Sequence, residues 1–288
     1  MTPLGAFLRT RREAAAPYAA GETPKRRKTS GLRREEVAVL AGVSANYYTR
    51  LEQGRERRPS AQVLHAISRA LDLDSASRDH LFDLAESVEA RPGVPGSPGG
   101  ERVPPELSRL VESQLRGPAL VVGPWGDILG GNAAGAVLYG ASGHHRNMIL
   151  SVFLDPRARS FYADWESAAR CSAGVLRTAY GKNPRSARFA EIFQELSARS
   201  PDFHRIWNEH PVTRKTGGNK RLHHESAGPL ELTYQLFEIP QAPGLQVLMY
   251  QSGARSTEDA YRRLLALADT SVASEQSLAG AVAGSSVR

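Results

Sequence analysis

The chain has 288 residues, of which 41% are hydrophobic, and this size suits two globular domains rather than one. No stretch approaches the ~20 consecutive apolar residues that a membrane-spanning helix needs, and the first residues lack the apolar segment of a signal peptide. We therefore expect a cytoplasmic protein with no membrane partner. Cys171 is the single cysteine, which excludes a disulfide within the chain, and we interpret it as a small packed side chain.

The positive charge of the chain is concentrated at its start. Residues 1–60 contain 13 Lys and Arg against 6 Asp and Glu, whereas residues 61–288 contain 24 of each kind. The whole net charge of +7 therefore lies in the first fifth of the chain. A basic patch confined to one module is typical of a nucleic-acid binder, whereas charge that only keeps a protein soluble has no reason to be localised.

The first part of the chain predicts an all-α domain over residues 1–88. A helix is expected over residues 3–13, followed by a basic loop over 14–31 in which the run Lys25–Lys28 and two prolines oppose a helix. The run is interpreted as an arm that reaches DNA or as a solvated loop, with a nuclear-localisation signal the least favoured alternative. Further helices are expected over 34–40, 45–53, about 60–71 and 74–86.

Residues 89–104 alternate proline with glycine and are interpreted as a linker. The following domain, over residues 105–269, mixes helices with strands. Helices are expected over 105–114, 132–139 with Asn132 as the cap, 158–180, 186–198 and about 257–268, and strands over 119–122, 128–129, 230–237 and 245–251. The small polar residues 270–288 are expected to be a disordered tail.

The segment LRREEVAVLAGVSANYYTRLEQG, residues 32–54, predicts two helices joined by a tight turn. Ala38 is small enough for the second helix to pack closely, and Gly42 is able to adopt the positive φ that ends a helix sharply. Ser44 then caps the second helix, and Tyr48 and Leu51 face inward. A helix, a glycine turn and a second helix form the unit that places one helix in the DNA major groove. The alternative is an ordinary helical hairpin with no role in DNA binding.

Position in this motif assigns roles to its exposed residues. Side chains near the start of the second helix are expected to face base edges, with Asn46 suited to adenine and an arginine to guanine. These candidates are Ala45, Asn46, Thr49 and Arg50. Candidates for phosphate contacts are Arg33, Arg34, Ser44, Tyr47 and Arg55. For Tyr47 a partial core role is as well supported, and each arginine is as easily a solvated charge. Because one helix reads only a few base pairs, a homodimer on a double-stranded, palindromic DNA operator is expected.

Several further stretches resemble a known family. LGAFLRTRRE, GLRREEVAVLAGVS, YYTRLEQGRERRPSAQVL and LFDLA resemble the helix-turn-helix regulators of the xenobiotic-response-element type, in their MmyB-like branch. PALVVG, WGDILGGN, RNMILSVFLDPRAR, DWESAAR, ELSARSPDFHRIWNEHPV and GPLELTY resemble the second domain of that branch. The resemblance implies a bacterial transcriptional regulator with a lambda-repressor-like, all-α first domain and a PAS-like α/β second domain that binds a small apolar ligand such as a fatty acid.

A ligand domain needs an apolar pocket with a few placed polar groups. The candidates are Arg146, Asn147, Trp165, Ala169, Leu176, Phe203 and Trp207. Arg146 and Asn147 are the candidate partners of a carboxylate, or else they fix a loop. For each apolar residue the alternative is simply the domain core. An alternative for the whole domain is a module that binds another protein.

No motif predicts catalysis, a cofactor or a metal. The chain has no nucleophile elbow, phosphate-binding glycine loop or HExxH helix, so we do not expect an enzyme. The histidine pairs at 144–145 and 223–224 are adjacent residues, which point to opposite faces of a strand and do not easily chelate one ion.

Overall fold

A computed structural model describes residues 2–16, 31–56, 58–86, 102–140, 146–213 and 216–284. The chain divides into two compact units. The first comprises residues 1–95, Arg177–Ser186 and Trp207–Arg214, and the second comprises Gly96–Leu176, Ala187–Ile206 and Lys215–Arg288. The predictions for Lys25–Lys28 and for most of the linker fall outside the described residues. The expected domain boundaries stay predictions.

Five helices build the N-terminal part of the first unit. They are α1 (Pro3–Ala14), α2 (Arg34–Ala41), α3 (Ala45–Glu52), α4 (Ala61–Ala70) and α5 (Ser75–Glu86). Each lies where the apolar spacing and the capping residues predict it, within one or two residues at either end. Their inward faces form one core, whose fully buried members include Leu8, Val37, Leu51, Ile67 and Leu81. The all-α fold expected for this part of the chain is confirmed.

Among the described residues that follow, there are eight α-helices and five strands. The helices are α6 (Pro105–Gln114), α7 (Ala133–Tyr139), α8 (Met148–Leu154), α9 (Ala158–Phe161), α10 (Trp165–Lys182), α11 (Ala187–Arg199), α12 (Pro201–Asn208) and α13 (Glu258–Gly284). The strands are β1 (Ala119–Val122), β2 (Ile128–Gly131), β3 (Gly217–His224), β4 (Gly228–Glu238) and β5 (Gln246–Ser252). They form one antiparallel sheet in the order β2-β1-β5-β4-β3, which confirms the expected α/β class.

The two faces of the sheet bury different side chains, because successive residues of a strand point to opposite faces. On one face Val121 and Val247 pack in a core with Val111 of α6. The neighbouring residues on the same strands, Leu120 and Leu248, are buried on the opposite face.

Asn132 caps α7, as predicted, and also joins the start of β1 to its surroundings. Its Oδ1 accepts hydrogen bonds from the N–H groups of Gly135 and Ala119 at 2.9 and 3.0 Å. Its Nδ2 donates to the carbonyl groups of Leu115 and Gly117, both at 2.8 Å. One amide therefore satisfies four backbone groups.

The single helix expected over 158–180 is wrong, since the structure has α9 and α10 there. Tyr162 separates them with φ −88° and ψ 116°, and it forms an isolated bridge with Leu222 of β3. Helices α8 and α12 and strand β3 were not expected. Strand β3 reads GGNKRLHH, with no run of apolar or β-branched residues, and forms a strand because it pairs with β4 along its whole length.

The final helix also differs from expectation. It was expected to end near Ala268 and to be followed by a disordered tail, whereas α13 continues to Gly284. The sequence after Ala268 contains no proline and is rich in alanine, with leucine, glutamate and glutamine, all good helix formers. No helix of the described residues is long and apolar enough to cross a membrane.

Candidate DNA-reading helix and candidate ligand site

The turn between α2 and α3 has the geometry that its sequence predicts. Gly42 adopts φ +65° and ψ 32°, a conformation that side chains with a Cβ rarely take, and its N–H closes the last turn of α2. Ser44 then accepts a hydrogen bond from the N–H of Tyr47 at 3.1 Å, so that α3 starts with its first turn satisfied. The turn between the two helices is thus defined by Gly42 and by Ser44 two residues later.

Helix α3 has a buried face and a solvent face. Tyr48 and Leu51 are completely buried, whereas Ala45, Asn46 and Arg50 are exposed. Thr49, another base-contact candidate, is half-buried, and the guanidinium of Arg50 lies 3.6 Å from the Glu56 carboxylate. The exposed side chains at the start of α3 are therefore short, and one of them, that of Asn46, carries an amide that is able to contact base edges in a DNA groove.

The candidate phosphate ligands lie in different surroundings. Arg33 and Arg55 are exposed, and the backbone N–H of Arg33 donates to the Glu36 carboxylate at 2.7 Å. Ser44 is exposed but already caps α3. Tyr47 is half-buried against the core, and burial, with the Glu56 charge second, raises its pKa. The DNA contacts of these residues stay predictions.

A buried ion pair holds the base of α3. The Arg12 guanidinium donates to both Glu52 oxygens at 3.0 and 2.9 Å and to the Leu32 carbonyl at 3.0 Å. Glu52 is only 1% exposed and Arg12 only 6%. Arg34, expected at a phosphate, also donates to Glu52 at 2.9 Å, which ties its side chain to the end of α3. The network connects α1, α2 and α3 through the Glu52 carboxylate.

The predicted carboxylate partners lie at the start of α8. Asn147 is 1% exposed, and its Nδ2 donates to the Trp125 carbonyl and to the Asp127 carboxylate, both at 2.9 Å. Its Oδ1 accepts two N–H groups of α8, including that of Leu150 at 3.0 Å. Arg146 is exposed. Both ends of the Asn147 amide are therefore engaged, the oxygen as the cap of α8 and the nitrogen with Trp125 and Asp127, which leaves the side chain poorly placed for a ligand.

Two of the predicted aromatic residues come together through a third. The ring of Phe153 lies 6.2 Å from that of Trp165 and 5.3 Å from that of Phe203, edge-on in both cases. The Trp165 indole N–H donates to the Val152 carbonyl at 2.9 Å, and the Arg159 guanidinium stacks on the indole at 3.9 Å. Trp165 and Phe203 thus belong to one aromatic core.

The remaining apolar candidates do not join them in a common pocket wall. Ala169 and Leu176 are completely buried. Trp207 belongs to the first unit, where the Arg177 guanidinium covers its ring at 3.8 Å. A ligand role for these residues stays a prediction.

The second unit contains a cluster that the sequence analysis did not single out. The ammonium of Lys220 lies 5.5–6.0 Å from four tyrosine ring centres and 3.4 Å from the Tyr139 hydroxyl. The four tyrosines are Tyr139, Tyr162, Tyr234 and Tyr250. Together with Lys220 they are called the tyrosine cluster. The hydroxyls of Tyr139 and Tyr250 are hydrogen-bonded to each other.

Sheet register explains why these residues meet. Tyr234 of β4 lies directly opposite Tyr250 of β5. Lys220 of β3 lies opposite Leu232, which is two residues from Tyr234 and therefore on the same face. Tyr139 ends α7, and Tyr162 lies in the break between α9 and α10, so five separate segments of the chain supply the cluster. The alternation LEL-x-Y at 230–234 was the available signal, but pairing with β3 was not predictable.

The surroundings of the tyrosine cluster are largely dry. Tyr162, Tyr234 and Tyr250 are 3–8% exposed. Burial is the first cause that raises the pKa of all four tyrosines, that of Tyr234 to about 12, so the hydroxyls stay protonated and able to donate. Tyr234 also lines a solvent-open groove of about 300 Å³ with Gly218. Of the tyrosine cluster, Tyr234 alone is among the residues that line this groove. An ammonium and phenol O–H groups are donors that suit a group with negative charge.

The expectations about metals concern the histidine pairs. Residues 144–145 lie outside the described part of the chain. The ring of His224 contacts the Val137 carbonyl at 2.9 Å, and His223 is exposed. Within the described residues, no three His, Cys, Asp or Glu side chains are placed to hold one metal ion.

Comparison with known proteins agrees with this division of roles. Residues 3–81 match the model of a helix-turn-helix domain, and residues 103–264 match that of the MmyB-like transcription regulator ligand binding domain. No curated protein matches the chain. Both matched domains are those of transcription regulators, the first binding DNA and the second a small molecule. Since the second match alone covers more than half of its length, the chain belongs to the MmyB-like transcription regulators.

Proposed function

We propose that this regulator reads a specific double-stranded operator with α3 and changes its affinity for that operator when its second domain binds a fatty-acid-like ligand. The observation that carries the first half is the exposed start of α3, where Asn46 stands clear of the core on a helix fixed by Ser44 and Glu52. An amide in this position pairs with the N6 and N7 edge of adenine. Because its work is on DNA, we place the protein in the cytoplasm.

One α3 contacts too few base pairs to define a site in a genome. We therefore propose a homodimer, which would read two half-sites about one helical turn apart on a palindromic operator. The localised positive charge of residues 1–60 supports this arrangement, because phosphate contacts by Arg33, Arg55 and the run Lys25–Lys28 would position both copies on the duplex.

The tyrosine cluster supports the ligand half of the proposal. In a dry site the Lys220 ammonium gains from a carboxylate, and the hydrogen-bonded hydroxyl pair of Tyr139 and Tyr250 keeps one further O–H able to donate. An apolar chain attached to that carboxylate would lie against the buried rings of the cluster. We therefore assign the head group to Lys220 rather than to Arg146 or Asn147. Arg146 is exposed, and both ends of the Asn147 amide already have hydrogen-bond partners.

The DNA half is tested by selecting bound sequences from a random duplex library with the full-length protein. The proposal expects a palindromic consensus and a tight, saturable complex of two chains per duplex. Binding of all duplexes with similar affinity would contradict sequence-specific reading. Size-exclusion chromatography with light scattering, with and without the selected duplex, tests the homodimer.

The ligand half is tested by native mass spectrometry of the purified protein and by titration with decanoate after delipidation. Lys220→Met is expected to weaken decanoate binding at least tenfold, because a charge-assisted contact in a dry site is lost. Arg221→Met is the matched control, since Arg221 is the next residue on β3 and is exposed. No binding of decanoate or of a co-purified molecule would contradict the ligand proposal and favour a second domain that binds a protein.

A further inference from the structure

The first unit contains a group of basic side chains that the DNA-reading motif does not use. This basic cluster consists of Arg11 of α1, His80 of α5, Arg177 and His210. One Arg11 nitrogen, Nη2, donates to the Ser77 hydroxyl at 3.0 Å and to the His210 carbonyl at 3.2 Å. The Nη1 of Arg177 contacts the His210 ring at 3.2 Å. Both guanidinium groups therefore meet at the same residue.

Two of the four residues of the basic cluster are strongly dehydrated, and the other two, Arg11 and His210, are half-buried. His80 is 2% exposed and Arg177 is 7% exposed. Burial, followed by the charges of Arg177 and Arg11, lowers the pKa of His80 to about 3 and that of His210 to about 4. At neutral pH both imidazoles are therefore uncharged, and the positive charge of the cluster belongs to the two arginines.

The two arginine charges are incompletely balanced. Burial lowers the pKa of both arginines, and the charge of Arg11 lowers that of Arg177 further, to about 9. Among the described residues, Asp74 is the carboxylate whose charge acts on Arg11, and its side chain also accepts the Ser77 N–H at 2.7 Å. Two positive charges against one negative charge leave one positive charge in a place from which water is largely excluded.

Buried nitrogen atoms of the same residues lack partners. The Nε atoms of Arg11 and Arg177 and the Nδ1 atom of His80 have no hydrogen-bond partner among the described residues. Arginine Nε always carries a proton, so each of these two groups is a donor that its own fold leaves unsatisfied. A buried donor without an acceptor is unfavourable, and a charged one more so. An acceptor with one negative charge would satisfy the free donors and also balance the excess positive charge.

We propose that the basic cluster binds one monovalent inorganic anion of the size of chloride, held by the guanidinium groups of Arg11 and Arg177. The anion supplies the missing acceptor and balances the remaining charge. It ties the segments that contain Arg177 and His210 to α1 and α5 within the first unit. The stability of this unit then depends on the kind of anion in solution and not only on ionic strength.

The test compares sodium chloride with sodium gluconate at one ionic strength, with hydrogen exchange in peptides of α5 (Ser75–Glu86) of the full-length protein as the readout. At a hundredfold excess of chloride over its Kd, the ratio of closed to open molecules is expected to be about a hundredfold higher than in gluconate. The effect must saturate with chloride. Arg177→Met is expected to remove it, and Arg78→Met, which changes an exposed arginine of α5, to preserve it.

Equal protection in chloride and gluconate overturns the proposal, as does an Arg177→Met variant that responds to chloride like the unsubstituted protein. If Arg177→Met does not fold, crystals of the unsubstituted protein grown in sodium bromide replace it. An anomalous peak within hydrogen-bond distance of the Arg11 and Arg177 guanidinium groups supports the site. A basic cluster without such a peak overturns it.

Discussion

Replacing Glu52 by leucine is expected to destabilise the first unit by about 3–5 kcal/mol, the range for removing one partner of a buried ion pair. The structure places the change at the upper part of that range. Glu52 is 1% exposed and accepts two hydrogen bonds from Arg12, whose own exposure is 6%. Without the Glu52 carboxylate, Arg12 keeps the buried Leu32 carbonyl at 3.0 Å and the half-exposed Glu13 carboxylate at 3.4 Å as acceptors. Arg34 is affected less, since its side chain is 40% exposed.

The same network predicts how stability depends on pH. Burial alone would raise the pKa of Glu52, but hydrogen bonds from Arg12 and Arg34 and their charges outweigh it and lower the pKa below its ordinary value of 4.5. A carboxylate with a lowered folded-state pKa contributes stability above its unfolded pKa and loses it as the pH falls through the folded-state value. The unsubstituted protein should therefore lose stability below about pH 4.5, and Glu52→Gln should show a smaller loss.

Urea unfolding of full-length variants, with hydrogen exchange of peptides from α2 and α3 to identify the unit that opens, measures both effects. Glu13→Gln is the control, since Glu13 is half-exposed in its pair with Arg9, reaches Arg12 only at 3.4 Å and should contribute less than about 1 kcal/mol. The double variant Arg12→Met, Glu52→Leu should recover much of the loss, because no charge is then left buried. A loss below 1 kcal/mol for Glu52→Leu would refute the role assigned to the network.

Three further substitutions each test the role of one residue. Gly42→Ala, at φ +65°, should destabilise the first unit by about 1–2 kcal/mol in urea unfolding, and an unchanged midpoint would contradict the strain argument. Asn132→Ala removes the partner of four backbone groups and should destabilise the second unit by at least about 3 kcal/mol, whereas Asn219→Ala, an exposed amide on β3, should change it little. Asn46→Ala should relax preference at one operator position by about 1–3 kcal/mol, and uniform weakening on all sequences would remove its reading role.

The sequence predicted the first unit better than the second for a physical reason. Its helices are marked by local signals, such as Gly42, the caps Ser44 and Ser60, and apolar spacing, and these act within a few residues of where they appear. The buried ion pair of Arg12 and Glu52 joins residues 40 positions apart, so no local sequence pattern predicts it.

The second unit depends more on distant pairing. Strand β3 has no strand-like pattern of its own, and it carries Lys220 into the tyrosine cluster only because β4 pairs with it. For Asn147 the sequence left two alternatives, a ligand partner or a residue that fixes a loop, and in the structure its amide oxygen caps α8. Among the apolar candidates, Ala169, Leu176 and Phe203 are buried and the two tryptophans are half-buried, but burial alone does not separate a pocket wall from a core.

The most direct test of the account is the affinity of the full-length protein for its selected duplex, measured with and without decanoate at one salt concentration. The account predicts a change of at least fivefold that disappears in Lys220→Met and persists in Arg221→Met. Because the coupling is reciprocal, the duplex should change decanoate affinity by the same factor. Equal operator affinity with and without decanoate, under conditions where decanoate is shown to be bound, would contradict ligand-controlled reading of DNA.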